Sequence, residues 1–329
     1  MDKKDLYDKK ISVEKNVSII GSGIIDVLVG AVDKNIFKQG SQSMDYIKLS
    51  FGGDALNEAV ALSRLGKNVE LISKIGNDET GQRILDYMKD NNLSADCIKV
   101  QPGLETSVNI VMVDDQGERH FLTNPNSSLR KLEESDIVPH IDNMADIVSF
   151  ASMFVSPCLD IFAMERIFKQ IKSKSGRTLI VDVTRAKNGE TLEDLKPLFP
   201  YIDYFLPNDT EIAMLTGKFD PYKNIELLMS YGINCAVLKC GSKGCVSAKD
   251  DEVYAIPSYP VENAVDTTGA GDCFAAGFLY GLLQKWSLKE CGKFACAVAS
   301  CSVEQVGAVT GIISIEEPMK RYWQLSNQK

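Results

Sequence analysis

Beyond residue 125 the chain repeats one pattern, a short apolar run followed by a helix-like stretch and then another apolar run. Asp146–Ala151, Thr178–Val183, Tyr204–Leu206 and Asn234–Lys239 read as strands, while Leu159–Ser173 and Ile225–Tyr231 read as helices. Apolar strands alternating with helices call for a parallel sheet covered on both faces, because each crossover lays a helix against the sheet. The first part of the chain has the same texture. Val17–Ile20 is a buried strand ending at Gly21, and an amphipathic helix follows Gly52-Gly53 and ends near Leu65-Gly66. Val69–Ile75 is a strand, and Asp78–Asn92 is a helix with Ile84, Leu85 and Met88 at helical spacing. The expected fold class is α/β, a central mostly parallel sheet with helices on both faces.

Two stretches break the pattern. Residues 45–50 alternate like a half-exposed strand, and Val108–Val113, Asp114–Gly117 and Glu118–Leu122 form a hairpin signature. Residues 26–50 and 97–123 are therefore expected to make a small antiparallel β-sheet lid. It would be inserted in a major domain of 17–25, 51–96 and 124–329, behind a polar N-terminal tail of 1–16. A sheet with few helices over it must shield one face with a ligand, a partner subunit or both.

Composition excludes several functions. The net charge of −9 and pI near 5.0 argue against a nucleic-acid partner. Met1–Asn16 has no apolar signal core and no window approaches eighteen uninterrupted apolar residues, so no membrane role and a cytoplasmic location are expected. The nine cysteines include no Cys-x-x-Cys pair. Cys291, Cys296 and Cys301 recur every five residues, about 140° of helical turn, so they cannot share a face as metal ligands. They read as small apolar fillers of a reduced protein. His120 and His140 lack the spacing of a metal pair, and a Ser-His triad is not expected. Gly21-Ser-Gly23-Ile-Ile-Asp26 has Asp26 where a dinucleotide fold needs its third glycine, and Val27–Val32 is extended where a helix should open. A Rossmann oxidoreductase is disfavoured on both grounds.

Ligands of open α/β sheets gather at strand carboxyl ends, which singles out Asp26, Asp182–Arg185, Asn208–Glu211, Lys239–Gly244 and Ala264–Phe274. Gly269-Ala270-Gly271 precedes the apolar run Cys273–Leu283, so its N–H groups would head a helix and face an anion. Asp272 is a poor phosphate holder there but a good proton acceptor for an attacking hydroxyl. The plainer reading is a glycine turn with a first-turn acid. Gly52-Gly53-Asp54-Ala-Leu-Asn57 reads either as a close-approach turn with a carboxamide behind it or as a turn whose Asp54 or neighbours cap the helix. Asn208 and Glu211 have the spacing of a capping box and the oxygen chemistry of a Mg²⁺ site. Lys239-Cys-Gly241-Ser-Lys-Gly244 reads either as a hairpin turn or as a lysine with exposed N–H groups for phosphate.

Taken together, Gly52 to Asn57, Asn208 to Glu211, Lys239 to Gly244 and Asp266-Thr-Thr-Gly-Ala-Gly-Asp272 resemble, in order and spacing, the PfkB (ribokinase-like) carbohydrate kinase family from about residue 17 to 317. The resemblance implies a ribokinase-like fold and ATP-dependent phosphorylation of a hydroxymethyl group. It implies Asp272 as the base, Gly269, Ala270 and Gly271 as the anion hole, and Asp26, Gly52, Gly53, Asp54 and Asn57 at the sugar. Asn208, Lys239, Gly241, Gly244 and Thr268 would fall at the nucleotide. Asn208 and Glu211 would order Mg²⁺ and its water, while Asp266 and Thr268 match positions where some members bind K⁺. The lid resembles one that often pairs with a second subunit, so a homodimer through the lid is expected, with ATP and a small sugar as ligands.

Ile24 stands where ribokinases carry Asn, and Asp54 stands where they carry Lys, which sets ribose itself in doubt. If Asp54 faces the pocket, it disfavours anionic sugars and favours a neutral pentose or ketohexose. If it only caps the helix, that argument lapses. Asp182-Val-Thr-Arg185 partly matches a fructokinase-like Asp-Pro-Asn-x-Arg variant and receives no role. The alternatives are a nucleoside kinase of the same fold and a catalytically silent sugar- or nucleotide-binding paralogue. Intact Asp272, Gly269 and Gly271 argue against the latter.

Overall fold

The computed structural model describes residues 15–33, 35–114 and 119–327. The expected tail lies almost wholly outside them, as does most of the turn expected at 114–117. The strands, in chain order, are β1 (Val17–Ile20), β2 (Ile24–Val32), β3 (Tyr46–Gly52), β4 (Val69–Gly76), β5 (Ile98–Gln101), β6 (Val108–Asp114) and β7 (Arg119–Leu122). They continue with β8 (Ile147–Met153), β9 (Thr178–Val183), β10 (Tyr204–Phe205), β11 (Cys235–Lys239), β12 (Cys245–Lys249) and β13 (Glu252–Ile256).

Nine of them form one sheet in the order β13-β12-β11-β10-β9-β8-β1-β4-β5. From β11 to β5 every neighbouring pair is parallel, and β12 and β13 add an antiparallel edge. Side chains of successive residues leave a strand on opposite faces. Accordingly Ile19, Leu71 and Ile180 enter the core under the helices Asp54–Arg64, Ala270–Leu283 and Leu288–Ser302, whereas Ile20, Ile72 and Val181 enter the core under Ile161–Ser173 and Pro221–Ser230. Both faces are covered, as the apolar strands required. Cys291, Cys296 and Cys301 are buried fillers in the first of these cores.

The remaining four strands make a separate sheet in the order β3-β2-β6-β7. Two expectations about it need correction. The sheet is mixed rather than antiparallel, because β2 pairs with β6 in parallel from Ile25↔Val108 to Gly30↔Val113. The chain between β2 and β6 passes through the main sheet, and only such a long crossover lets two neighbouring strands run the same way. The stretch beginning at 97 also does not belong wholly to the lid, since β5 pairs with β4 at the edge of the main sheet. β2 starts directly after Gly23, with no helix there, in keeping with the failed dinucleotide reading.

Register assigns the lid's two faces. Asp26, Asn109, Val113 and Arg119 fall on one face, and Val27, Leu49, Ile110 and Leu122 form a row across the other.

Candidate active site

The helix Ala270–Leu283 begins at Gly269, whose φ of 69° is left-handed. A Cβ there would come within 2.5 Å of the Ala308 Cβ, so glycine is required on both steric and conformational grounds. The Ala270 N–H makes only a long 3.3 Å turn bond to the Thr267 carbonyl. The first-turn N–H groups have no helical carbonyl before them and point their dipole out of the helix start. Lys239 lies directly beside them, because a Cβ placed on Gly271 would sit 3.5 Å from its Nζ.

Lys239 is buried and ion-paired with Asp182. Burial works against its charge, but Asp182 and Glu211 outweigh it and hold the ammonium protonated well above the usual lysine range. Burial pushes the Asp182 carboxyl up to about 6 against the pull of Lys239. β11 ends at Lys239, and its backbone N–H bonds the Pro207 carbonyl at 2.9 Å, which sets Asn208 alongside. Asn208 and Glu211 close a full capping box: Oδ1 of Asn208 accepts from the Glu211 N–H and Oε2 of Glu211 from the Asn208 N–H, both at 2.8 Å. That leaves the other Glu211 oxygen outside the cap. Burial raises this carboxyl to about 7, with Lys239 opposing and Asp182 adding to the rise.

Asp272 occupies the first turn of the glycine-headed helix and is half-buried. Asn57 Nδ2 donates to its Oδ2 at 2.7 Å. Burial, then the Asp54 charge, lifts the Asp272 carboxyl well above the ordinary range, and the Asn57 bond opposes them. Asp54 is not a helix cap. Gly53, at φ 94°, holds the cap position, and Asp54 is the first helical residue, with its carboxylate accepting from the Ser152 hydroxyl at the end of β8. A Cβ on Gly53 would come within 2.5 Å of the Ser22 carbonyl oxygen, and one on Gly52 would collide with the Asp26 carboxylate. The paired glycines therefore let β2 and the helix start touch.

Asp26 is buried and hydrogen-bonded through its side chain to Asn109, yet its Oδ1 has no partner, and neither does Oδ1 of Asn109. Burial carries Asp26 up to about 6, the Asn109 bond opposing. Two buried acceptors without donors have room for hydrogen-bond donors. Gly241 and Gly244 both have positive φ; Gly241 is exposed with open space beside it, while Gly244 is packed tightly against the Ile256 carbonyl.

Sequence reasoning singled out Asp182 without giving it a role and passed over Asn109, Ser152 and Glu58. Asp182 stands near the end of β9, and Glu58 interrupts the apolar face of Ala55, Leu56, Ala59 and Val60. Asn109 gave no signal beyond its alternating position in a strand, and Ser152 fell just past the strand expected at Asp146–Ala151.

Asp54, Asp182, Glu211 and Asp272 all act on the single charge of Lys239. This surplus of carboxylate suits a divalent cation. Among the described residues no three carboxylate, thiol or imidazole groups converge as a cage, so such an ion would be held through its water and a phosphate. The monovalent-cation positions differ. Asp266 is filled by Thr268, Gly307 and Arg119, and Thr268 directs its own hydroxyl to Asp266.

A two-faced parallel sheet, a small β-lid and a glycine-headed helix carrying an acid define the ribokinase-like fold. The model of the pfkB family of carbohydrate kinases matches residues 14–315, and the chain belongs to that family. It is 31% identical over 77% of its length to an uncharacterized sugar kinase of Archaeoglobus fulgidus, of which it covers 98%. It is 28% identical to the ribokinase of Haemophilus influenzae, over 83% of this chain and 87% of that one. The fold is similar to that of Arabidopsis thaliana ribokinase complexed with ribose and ATP, with a TM-score of 0.79, 23% identity and coverage of 94% and 99%. The protein is a sugar or nucleoside kinase. No described helix is long and apolar enough to cross a membrane.

Proposed function

We propose that this kinase uses ATP to phosphorylate a hydroxymethyl group of a small neutral sugar, a pentose or ketohexose, with Asp272 as the general base. The observation that carries the reading is the Asn57–Asp272 bond, which fixes a carboxylate of raised proton affinity at the start of the anion-facing helix. Asp26 and Asn109 accept hydroxyls of the sugar through their unpartnered oxygens. With a hydroxyl held against Asp272, the carboxylate takes its proton as the oxygen attacks the terminal phosphorus of ATP and the bond to the leaving ADP oxygen breaks. The N–H groups of Gly269 to Gly271 meet the charge that develops on the transferring oxygens, and Lys239 adds fixed positive charge beneath them. Mg²⁺, when bound near Asn208 and Glu211, supplies further charge neutralisation on the phosphates. Gly241 and Gly244 shape the turn beside the nucleotide. Asp26, Asp54 and Asp272 together disfavour an anionic substrate.

The lid's outer face, with Leu49 62% and Ile47 68% exposed, supports a homodimer through the lid. ADP release with Mg-ATP across pentoses, ketohexoses, sugar acids and nucleosides tests the reading. Turnover is expected on a neutral sugar. Best turnover on an acid or nucleoside would overturn the substrate class, and none above the ATP-only background would overturn the kinase assignment.

A further inference from the structure

Arg119 lies on the lid face that carries Asp26 and Asn109, and its guanidinium reaches Asp266, 147 residues away, at the head of the Asp-Thr-Thr-Gly-Ala-Gly-Asp segment. Four donors already converge on the Asp266 carboxylate. Its Oδ1 accepts from the Thr268 N–H at 2.9 Å, from the Thr268 hydroxyl at 2.7 Å and from Arg119, and its Oδ2 accepts from the Gly307 N–H at 2.8 Å. A carboxylate offers about four lone-pair sites. Its charge is balanced by the guanidinium, and a monovalent metal ion placed there would meet a like charge at contact range.

Asp266 also ties three segments together. Its own N–H and that of Val265 bond the Val303 carbonyl, and the loop continues to Gly307 and to Ala308, on which Gly269 packs. Anything that fixes the Asp266 carboxylate thus fixes the backbone from which the helix N–H groups project. Burial alone would favour the neutral acid, but the bonds from Gly307 and Thr268, aided by the Arg119 charge, outweigh it and keep Asp266 ionised.

We propose that Arg119 is the resident cation of Asp266, so that the lid carries into the site the charge a monovalent metal ion would otherwise supply, and nucleotide binding needs no such ion. Arg119 is a positioning residue here, acting through Asp266 on the helix start. The inference rests on the kinase reading for its link to ATP, but its cation dependence can be read without turnover.

The test compares the wild-type protein and Arg119→Met in KCl and in choline chloride at equal ionic strength, by calorimetric ATP affinity and by thermal melting. Wild type is expected to bind ATP within about twofold in the two salts and to melt alike. In choline, Arg119→Met is expected to lose roughly tenfold in ATP affinity, as for a lost hydrogen bond to a charged group, and to recover most of it in KCl together with a rise in melting temperature. Arg119→Lys, which keeps the charge, is expected to stay indifferent to K⁺. A wild-type protein whose affinity or melting improves markedly with K⁺ would overturn the proposal, as would an Arg119→Met variant that KCl does not rescue. If neither protein binds ATP, the kinase reading fails instead. The melting comparison then still decides, an unchanged wild type with a K⁺-stabilised variant supporting the proposal and any other pattern overturning it.

Discussion

Asn57 and Asp272, 215 residues apart in the chain, share a 2.7 Å hydrogen bond from carboxamide to carboxylate. The bond does two things at once. It aims one oxygen of Asp272 and leaves the other outside the bond, and it favours the ionised form against burial. Replacing Asn57 by Ala removes a bond to a charged group, worth about 1.5–3 kcal/mol. Turnover should fall roughly tenfold to a hundredfold. Because the lost bond held the Asp272 proton affinity down, the acid limb of the rate profile should also move to higher pH. A pH–rate profile of Asn57→Ala whose acid limb coincides with that of wild type would contradict this account.

Asp272→Asn keeps the shape and the Asn57 contact but removes the base. A positioned general base contributes about 10²–10⁴-fold, and turnover should drop by that much. ATP affinity should persist, since Lys239 and the helix N–H groups remain. Single-turnover rates beside calorimetric ATP binding separate the two quantities, and near-normal turnover would remove Asp272 from the role of base.

How much of this could be read in advance follows from the range over which each feature is encoded. Sheet strands and cover helices were legible because burial on both faces writes itself as local apolar runs such as Val17–Ile20 and Thr178–Val183. The capping box at Asn208 and Glu211 was legible because both partners lie in one turn. The Asp182–Lys239 and Arg119–Asp266 pairs were not, since each joins groups far apart in sequence with no local periodicity to announce it. Asp54 was ambiguous for a related reason: only Ser152, supplied by another strand, decides that its carboxylate turns away from the helix cap. The parallel pairing of β2 with β6 was hidden likewise, because strand alternation says nothing of direction.

Asp54 bears on both substrate charge and proton affinity. After burial, its negative charge is the largest influence raising Asp272. In Asp54→Asn the Asp272 carboxylate is easier to ionise, so the acid limb of turnover should move to lower pH. The same change removes one of the three carboxylates proposed to face the sugar, and usage of acidic sugars should improve relative to neutral ones. Substrate-panel kcat/KM values and pH profiles of this variant check both directions, and an unmoved limb would separate Asp54 from Asp272.

Glu58 makes a separate prediction about stability. Its Oε2 accepts from the Ser149 hydroxyl at 2.8 Å, while Oε1 is buried without a partner. Burial, then the charge of Asp182, lifts its carboxyl well above the ordinary range, with Ser149 opposing. A carboxyl whose folded pKa is raised contributes its full stability below the unfolded value of about 4.3 and loses it as pH rises through the folded value. Gln has the same shape and no charge, so Glu58→Gln should stabilise the fold by on the order of 1 kcal/mol at neutral pH. The gain should grow as pH rises. Denaturant melts across the acid-to-neutral range measure it, and a gain that shrinks with rising pH would reverse the assignment.

The outer face of the lid offers a final test. Val27, Leu49, Ile110 and Leu122 form one cross-strand row, and Val29, Ile47 and Met112 form the next, so the apolar side chains make one continuous surface. Apolar burial is worth about 25 cal/mol per Å², and a second copy of this face would cover the same residues on both chains. Leu49→Lys places a charge on that surface, on the edge strand β3, without touching the opposite face, where Asp26 and Asn109 lie. The expected result is a shift from dimer to monomer in light scattering, with the monomer's melting temperature little changed because Leu49 is already largely exposed in the single chain. A Leu49→Lys protein with the same mass in solution as wild type would show that this face is not the contact.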